Sequence, residues 1–319
     1  MKLIIQIPCL NEEKTLPLVL STIPKKISGI NSIEVLVVND GSKDKTVEVA
    51  KEHGVKHFVH HTRNKGLGLS FHDGVMRALE LGADIVVNTD GDNQYPQQSI
   101  AELVQPIING QADIVVADRQ VNKIAHFSAP KKLLQHIGSK IVNKAAGTNI
   151  PDAASGFRAY SRESIIKLNT ITRFSYCMET IIQAGNKRLA ITSIPVVTNP
   201  KTRESRLFKS TPEHILKSAA AIFRAYVMYR PYSLFVSISV ILGLSGMIPF
   251  VRYLWLFLHQ QHGNHLQSLV LGSVLLIASI LSIALGVLAD LTRINRILIE
   301  DQLELAKITH LNRINSKDI

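Results

Sequence analysis

Five short apolar runs in the first 120 residues most constrain how this chain can fold. The runs are Leu3–Ile7, Ile33–Val38, Lys56–Val59, Asp84–Asn88 and Asp113–Ala117. Their length and their content of Val and Ile are typical of buried β-strands. Helical patterns lie between them, from near residue 12, from Thr46 to Gly54 and from about Pro96 to Ile108. Alternating strands and helices predict an α/β fold with a mostly parallel, doubly wound sheet.

Polar residues follow every run. The segments at the carboxyl ends are Pro8–Glu12, Asn39–Ser42, Asn64–Gly68, Asp90–Gln94 and Asp118–Arg119. Any one of them fits a turn or a helix cap. Five at one sheet edge predict a ligand site, because wound sheets bind ligands beyond the carboxyl ends of their strands. No glycine lies between Ile7 and Glu13, so the dinucleotide signature Gly-x-Gly-x-x-Gly is missing, which argues against hydride transfer.

The segment Asp90–Gln94 is the strongest candidate for a metal site. In an extended backbone, residues two apart project to the same side, so Asp90, Asp92 and Gln94 can converge. Gly91 leaves the space between them open. Oxygen ligands of this kind suit Mg²⁺ or Mn²⁺, which keep open positions for phosphate oxygens. A solvated acidic turn is the alternative, because the motif is short and common.

The formal charge of +11 is unevenly spread. Residues 1–100 hold 11 Lys and Arg against 12 Asp and Glu, so the basic excess lies downstream. From Arg119 to Lys144 the chain has six Lys or Arg and no acid. Such a stretch favours an anionic partner, and nucleic acid, lipid headgroups and diphosphates all fit. Arg119 stands at a strand end, where its guanidinium can hold a diphosphate with two parallel hydrogen bonds.

Four blocks at the predicted strand ends resemble the signatures of family 2 glycosyltransferases with the GT-A fold. They are Ile7–Glu13, Val37–Ser42, Arg63–Gly68 and Thr89–Gln94. The resemblance implies that the nucleoside of a sugar nucleotide is held by Pro8, Leu10, Glu12, Val38 and Asp40. It also implies that Asp90, Asp92 and Gln94 bind a metal, Mg²⁺ or Mn²⁺, on the donor diphosphate. The predicted donor site further includes Gly91, between the two acids, and Arg119, at its strand end. Many relatives carry an aromatic residue in place of Leu10, so the base stays unassigned.

The block Ser155–Arg158 lacks the carboxylate pair that most such transferases use to activate a sugar hydroxyl. A phosphate is already ionised near neutral pH, so its oxygen can attack without a general base. The block resembles that of the polyprenyl-phosphate glycosyltransferases of the dolichol-phosphate-mannose synthase type. Asp152 is expected to cap or salt-bridge the arginine that follows it, Arg158; the alternative is a role as a base or an orienting group.

The basic loop Lys201–Ser210 follows a later apolar run, Ile191–Val197, and is the predicted acceptor-phosphate site. The resemblance implies that Arg203 and Lys209 grip phosphates, with Arg206 adding charge between them. Together with Asp92 and Arg119, Arg203 and Lys209 make up the predicted catalytic set. A flexible basic linker is the alternative for this loop.

Two long uncharged segments, Tyr232–Val251 and Leu266–Ala289, predict an integral membrane protein, because each is about long enough to cross a bilayer core. The segment before them has a helical apolar face that fits an interfacial or a core helix. The predicted domains are a GT-A domain at 1–210, an interfacial helix at 211–231, a transmembrane hairpin at 232–289 and a tail at 290–319. Arginines flank one side of the hairpin, which places the GT-A domain and both termini in the cytoplasm.

Together these features predict an inverting, metal-dependent transfer of one sugar from a UDP- or GDP-sugar to undecaprenyl or dolichyl phosphate. The predicted partners are the nucleotide sugar, the polyprenyl phosphate and the membrane, with no nucleic acid and with a homo-oligomer left open. Two alternatives are a membrane glycosyltransferase with a hydroxyl acceptor and a non-catalytic scaffold that binds nucleotide or lipid. A polysaccharide synthase is disfavoured, because the only tryptophan, Trp255, is not in a Gln-x-x-Arg-Trp motif.

Overall fold

The computed structural model describes residues 1–124, 129–170, 176–200, 219–220, 223–224, 226–259 and 266–316. Within these ranges seven strands form one sheet in the order β3-β2-β1-β4-β6-β5-β7. The strands are β1 (Lys2–Cys9), β2 (Ser32–Asn39), β3 (His57–His60), β4 (Ile85–Asn88), β5 (Ile114–Asp118), β6 (Arg158–Ser161) and β7 (Ile191–Pro195). All five predicted strands are confirmed, and the later apolar run Ile191–Val197 contains β7.

Seven helices accompany the sheet in the described ranges, and two long helices follow them. They are α1 (Leu16–Thr22), α2 (Thr46–Glu52), α3 (Leu67–Glu80), α4 (Ile100–Ile108), α5 (Ala129–Ala146), α6 (Arg162–Lys167), α7 (Tyr176–Asn186), α8 (Pro231–Leu258) and α9 (Leu266–Asn315). The helix predicted from near residue 12 is regular only from Leu16, because a hydrogen-bonded turn precedes it. α3 was not predicted, because the glycine-rich segment that opens it looked like a loop.

The sheet is parallel except at β6, which pairs antiparallel with both β4 and β5. The predicted, mostly parallel sheet is therefore confirmed. The carboxyl ends of β2, β1, β4 and β5 consequently share one edge, as the doubly wound arrangement requires. β6 escaped the sequence analysis because it is only four residues long and carries Arg and Ser among its residues.

Helices cover both faces of β1, which lies between β2 and β4. On one face Leu3, Ile5 and Ile7 belong to a buried core that also includes residues of α1 and α4. On the other face α3 approaches very closely at Gly74. A methyl group on Gly74 would lie 2.6 Å from Gln6 Cδ and 2.7 Å from Val38 Cγ2. Glycine is therefore required for α3 to pack against β1 and β2.

Residues Arg224–Ile299 form a compact unit of their own. α8 and the apolar part of α9 pack through small residues: Ser279 Oγ donates to the Ser239 carbonyl at 2.8 Å, and a methyl on Gly246 would lie 3.0 Å from the Gly272 oxygen. Such contacts are typical of helix pairs in membranes. Both helices are long and apolar enough to cross a membrane, and they contain the two predicted spans. α8 continues to Leu258, beyond the predicted end of its span.

Residues Met1–Phe223 and Glu300–Ile319 form the other compact unit. In this unit the last turns of α9 pack on the sheet domain. Lys307 Nζ donates to the carbonyls of Ile166 and Leu168 at 3.1 and 2.7 Å, and Lys187 Nζ lies 3.7 Å from Glu300. These contacts give the tail a structural role that the sequence left unassigned. The predicted boundaries at 210 and 231 stay a prediction, since 201–218 lie outside the described residues.

Docking of the tail is expected to strengthen as pH rises from about 8 to about 10. Burial, together with the nearby charge of Lys187, lowers the pKa of Lys307 from 10.5 to about 8. In that window the unfolded chain keeps a proton that the folded chain has released, so the free energy of unfolding increases with pH. Thermal unfolding of the full chain in detergent should show wild type gaining stability relative to Lys307→Met across the window. Lys25 is exposed, so Lys25→Met is the control. If the difference in unfolding temperature between wild type and Lys307→Met stays constant across the window, the prediction is contradicted.

Candidate active site

Strand pairing brings the predicted donor segments to one edge of the sheet. β1 pairs with β2 so that Pro8 lies opposite Val38, and the Asp40 amide donates to the Cys9 carbonyl at 2.9 Å. β1 also pairs with β4, which leads directly into Asp90. Three of the predicted segments therefore leave adjacent strands side by side.

The predicted nucleoside residues differ in how far they are open to a ligand. Val38 is fully buried against α3, so its side chain supports the sheet. Glu12 is 4% exposed, and its Oε2 accepts a hydrogen bond from Thr15 Oγ1 at 2.7 Å. Pro8 and Leu10 are half-buried. An incoming ligand therefore meets Pro8 and Leu10 more readily than Val38.

Asp40 is buried and holds the loop that leads into α3. Its Oδ1 accepts from the Lys65 amide at 2.8 Å, and its Oδ2 accepts from the Gly66 amide at 3.0 Å. His61 Nδ1 lies 2.7 Å from Asp40 Oδ1, and His61 Nε2 lies 2.9 Å from Asp73 Oδ2. Each ring nitrogen of His61 therefore faces a carboxylate oxygen at hydrogen-bond distance. His61 thus links Asp40 to α3, a role that no local sequence pattern indicates.

The predicted metal loop is held by contacts within itself and from outside. Asp92 Oδ1 accepts from the Gln94 amide at 3.2 Å, and Asp92 Oδ2 accepts from Gln94 Nε2 at 2.9 Å. Asn93 has a left-handed φ of 57°, which a short polar residue tolerates. Asn199 donates from Nδ2 to the Asn93 carbonyl and from its amide to the Gln94 carbonyl, both at 2.9 Å. The segment that follows β7 is therefore hydrogen-bonded to this loop through Asn199.

The residues of this loop fit a hard cation in their chemistry. Asp90, Asp92 and Gln94 supply two carboxylates and one amide within five residues, and all three are half-buried. A methyl on Gly91 would lie 3.2 Å from Cys9 Sγ, and a methyl on Gly156 would lie 3.6 Å from both carboxylate oxygens of Asp90. In the described part of the chain no three His, Cys, Asp or Glu side chains converge into a complete metal site. A bound cation would consequently take several ligands from phosphate oxygens or water.

Buried polar side chains fasten the backbone at Gly156 against the end of β4. Asn88 Nδ2 donates to the Gly156 carbonyl at 3.1 Å and to Tyr176 Oη at 2.6 Å. Tyr176 donates to the same carbonyl at 2.9 Å, and Gln6 Nε2 donates to Asn88 Oδ1 at 3.1 Å. From the other side the Gly156 amide donates to Tyr95 Oη at 3.1 Å. In the sequence Asn88 stands out as a polar residue in an apolar strand. Its hydrogen-bond partners, however, come from distant elements.

The buried Asp152 forms an ion pair with Arg119, which is half-buried. Arg119 Nε lies 2.6 Å from Asp152 Oδ2, and Arg119 Nη2 lies 2.9 Å from Asp152 Oδ1. Burial by itself raises the pKa of Asp152, but the charge and hydrogen bonds of Arg119 outweigh burial and hold that pKa below its ordinary value. The expectation that Asp152 pairs with Arg158 is wrong. Since Asp152 occupies the Nε–Nη2 edge of Arg119, a diphosphate would meet the edge that carries Nη1.

Arg158 is fully buried and bonds to backbone carbonyls. Its Nε donates to the Ser155 carbonyl at 2.7 Å, its Nη1 to Cys177 at 2.8 Å and its Nη2 to Ala153 at 2.9 Å. The guanidinium thus joins β6, the start of α7 and the loop next to Asp152. Its role in the described structure is to hold these segments together.

The predicted acceptor residues Arg203, Arg206 and Lys209 lie outside the described residues. Their contact with a phosphate stays a prediction. The described structure places only the start of their segment, at Asn199, against the carbonyls of the metal loop.

Sequence comparison finds relatives along most of the sheet domain. The family model for Glycosyl transferase family 2 matches residues 4–168. A UDP-N-acetylglucosamine–dolichyl-phosphate N-acetylglucosaminyltransferase of Methanococcus voltae is 32% identical over 213 residues, which cover 60% of this chain and 83% of that protein. A dolichol-phosphate mannosyltransferase of Pyrococcus furiosus is 31% identical over 271 residues, which cover 81% of this chain and 73% of that protein.

A solved structure shares the fold at lower identity. Glucosyl-3-phosphoglycerate synthase from Mycobacterium tuberculosis, in complex with Mn²⁺, UDP and glucosyl-3-phosphoglycerate, superposes with a TM-score of 0.52 at 20% identity. The match covers 71% of this chain and 78% of that one. At this identity the likeness concerns the fold alone, and it agrees with the predicted GT-A class.

Removing Arg119 alone is expected to cost about 3–5 kcal/mol of folding stability, because it leaves the buried Asp152 carboxylate unpaired. Removing both partners should cost much less, since no buried charge then remains. Thermal unfolding of the full chain in detergent would compare Arg119→Met, Asp152→Leu and the double variant. Additive losses in the double variant would show that the two side chains are not coupled.

Proposed function

This chain belongs to glycosyl transferase family 2, and we propose that, as a glycosyltransferase, it moves one sugar from a UDP- or GDP-sugar to a polyprenyl phosphate. The names of the relatives from M. voltae and P. furiosus both include a lipid phosphate of this kind, dolichyl or dolichol phosphate. The observation that carries the proposal is the ion pair of Asp152 with Arg119, because Asp152 is the only carboxylate in the segment 151–162, where a hydroxyl acceptor would call for a base.

A sugar hydroxyl must lose its proton to a base as it attacks. Asp152 is the only acid between residues 151 and 162. It is 1% exposed, and both of its carboxylate oxygens accept hydrogen bonds from Arg119. Asp152 is therefore poorly placed to take a proton from a substrate. A phosphate oxygen is already ionised near neutral pH and makes no such demand.

The transfer itself is a single displacement with inversion. The lipid phosphate oxygen forms a bond to the anomeric carbon as the bond from that carbon to the nucleoside diphosphate breaks. The diphosphate leaves as an anion, and no proton moves. Catalysis then depends on positioning and on charge. We assign the edge of the Arg119 guanidinium that carries Nη1 to the leaving diphosphate. We assign Arg203, Arg206 and Lys209 to the acceptor phosphate.

Asp90, Asp92 and Gln94 are the residues that would hold Mg²⁺ or Mn²⁺. When bound, the ion supplies positive charge to the diphosphate. The contacts of Gln94 with Asp92 and of Asn199 with the loop carbonyls support this assignment, because they hold the ligands in one place before the donor arrives. The synthase that shares the fold was crystallised with Mn²⁺ and UDP.

A lipid acceptor also fits the two candidate membrane spans. Arg230 precedes α8, and Arg293 and Arg296 lie on α9. Arg296 Nη2 donates to Tyr229 Oη at 3.0 Å, so these arginines gather at one end of the hairpin. Since positive charge stays on the cytoplasmic side, we place both termini and the sheet domain in the cytoplasm.

The direct test is transfer of radiolabelled sugar from a panel of UDP- and GDP-sugars to undecaprenyl phosphate, with Mn²⁺ or Mg²⁺ against EDTA. A metal-dependent lipid product that mild acid cleaves would establish the donor and the acceptor together. If the folded protein yields no lipid product from any donor, the acceptor is a different molecule or the chain is a scaffold.

Asp92→Ala is expected to lower transfer on the order of 100-fold or more, because the diphosphate loses a metal ligand. Asp84→Asn is the matched control. Asp84 stands at the opposite end of the same strand, β4, where its Oδ2 accepts a hydrogen bond from the Lys2 amide at 2.7 Å. Turnover by both variants would be measured at equal amounts of folded, membrane-inserted protein. Equal activities would refute the metal assignment of Asp92.

Two substitutions of His61 separate its two hydrogen bonds. In His61→Asn the amide nitrogen can replace Nδ1 and keep the contact with Asp40, whereas in His61→Gln it can replace Nε2 and keep the contact with Asp73. If Asp40 holds the nucleoside, His61→Gln should raise the KM for the nucleotide sugar more than His61→Asn does, at similar kcat. Steady-state kinetics with the donor varied would check this, and equal KM values would contradict it.

A further inference from the structure

One face of α5 is apolar and exposed. Leu133, Leu134, Ile137 and Ile141 are 62%, 38%, 45% and 40% exposed. Residues four apart are neighbours on a helix, so Leu133, Ile137 and Ile141 form a stripe with Leu134 beside it. The opposite face packs on the sheet domain; its buried residues are Gly138, Ser139, Val142, Ala145 and Ala146. The four aliphatic side chains thus contribute little to the core of the domain.

The same exposed face is basic. Lys140 and Lys144 are exposed and lie on the side of the helix next to the aliphatic stripe. Neither forms an ion pair with any residue in the part of the chain that the structure describes. No acid occurs between Arg119 and Lys144, so the charge is not neutralised locally. An apolar stripe bordered by lysines is typical of a helix that lies in the plane of a membrane surface.

We propose that this face of α5 rests on an anionic lipid surface. Leu133, Leu134, Ile137 and Ile141 enter the boundary between headgroups and acyl chains, and Lys140 and Lys144 contact lipid phosphates. The chain carries two candidate membrane spans, so a lipid bilayer is an expected partner of the chain. This contact goes beyond the sugar transfer, because it holds for any donor or acceptor.

A second copy of the chain fits this face less well. A two-fold contact places the same patch of both copies together, so Lys140 and Lys144 of one copy would meet Lys140 and Lys144 of the other without an acid between them. Like charges in contact oppose association. Four aliphatic side chains on one helix also bury far less area than a stable protein interface needs. Anionic lipid satisfies the aliphatic side chains and the lysines at once.

The test measures contact with lipid and does not depend on sugar transfer. The full chain carrying Ile137→Cys is labelled with the environment-sensitive dye NBD and placed in nanodiscs of phosphatidylglycerol and phosphatidylcholine. The native thiols do not compete readily, since Cys9 and Cys177 are buried at 2% and 4% exposure. Ile141→Cys is a second labelling site. Glu52→Cys, at an exposed position of α2, is the control.

The expected result at Ile137 and Ile141 is a blue-shifted emission and an about twofold loss of fluorescence when the lipid carries a nitroxide at acyl carbon 5, since interfacial helices sink about 5–10 Å. Glu52 should show neither change. Replacing Lys140 and Lys144 by Gln, or phosphatidylglycerol by phosphatidylcholine, should reduce the quenching. A blue shift without nitroxide quenching would mean that protein covers the face, and an emission equal to that at Glu52 would mean that water does; either outcome overturns the proposal.

Discussion

The pairing of β1 with β2 on one side and with β4 on the other is the constraint on which the candidate site depends. These parallel ladders carry three polar segments to one sheet edge and set Pro8 beside Val38. β1 can lie inside the sheet because most of its residues are buried, on both faces, and because Gly74 lets α3 approach without a clash. The site thus depends on how β1 packs between β2, β4 and α3.

Buried polar contacts then decide what each functional group is free to do. Asn88 and Tyr176 secure the backbone at Gly156 next to Asp90, and Asn199 secures the loop that holds Asp92. In a buried setting such hydrogen bonds are costly to break, so they hold the site rigidly. The pair of Arg119 with Asp152 consumes a carboxylate that would otherwise be a candidate base. Together these contacts favour catalysis that depends on the positioning of the substrates and on charge.

Several parts of the chain have features that suit a membrane. α8 and α9 supply two candidate spans, the last turns of α9 pack on the sheet domain, and α5 offers an aliphatic and basic face. A lipid phosphate acceptor requires the sheet domain to work close to a bilayer. The tail and α5 are two features of that domain whose chemistry suits such a location.

The sequence by itself determined the α/β class, five strands, the two candidate membrane spans and the polar strand ends, because these depend on local periodicity and on residue type along short segments. Only the tertiary structure decided that Asp152 pairs with Arg119 rather than Arg158, that His61 supports Asp40, and that β6 enters the sheet antiparallel. Those outcomes depend on contacts between residues far apart in the chain. Side chains choose such partners by the geometry of packing, which no local pattern records.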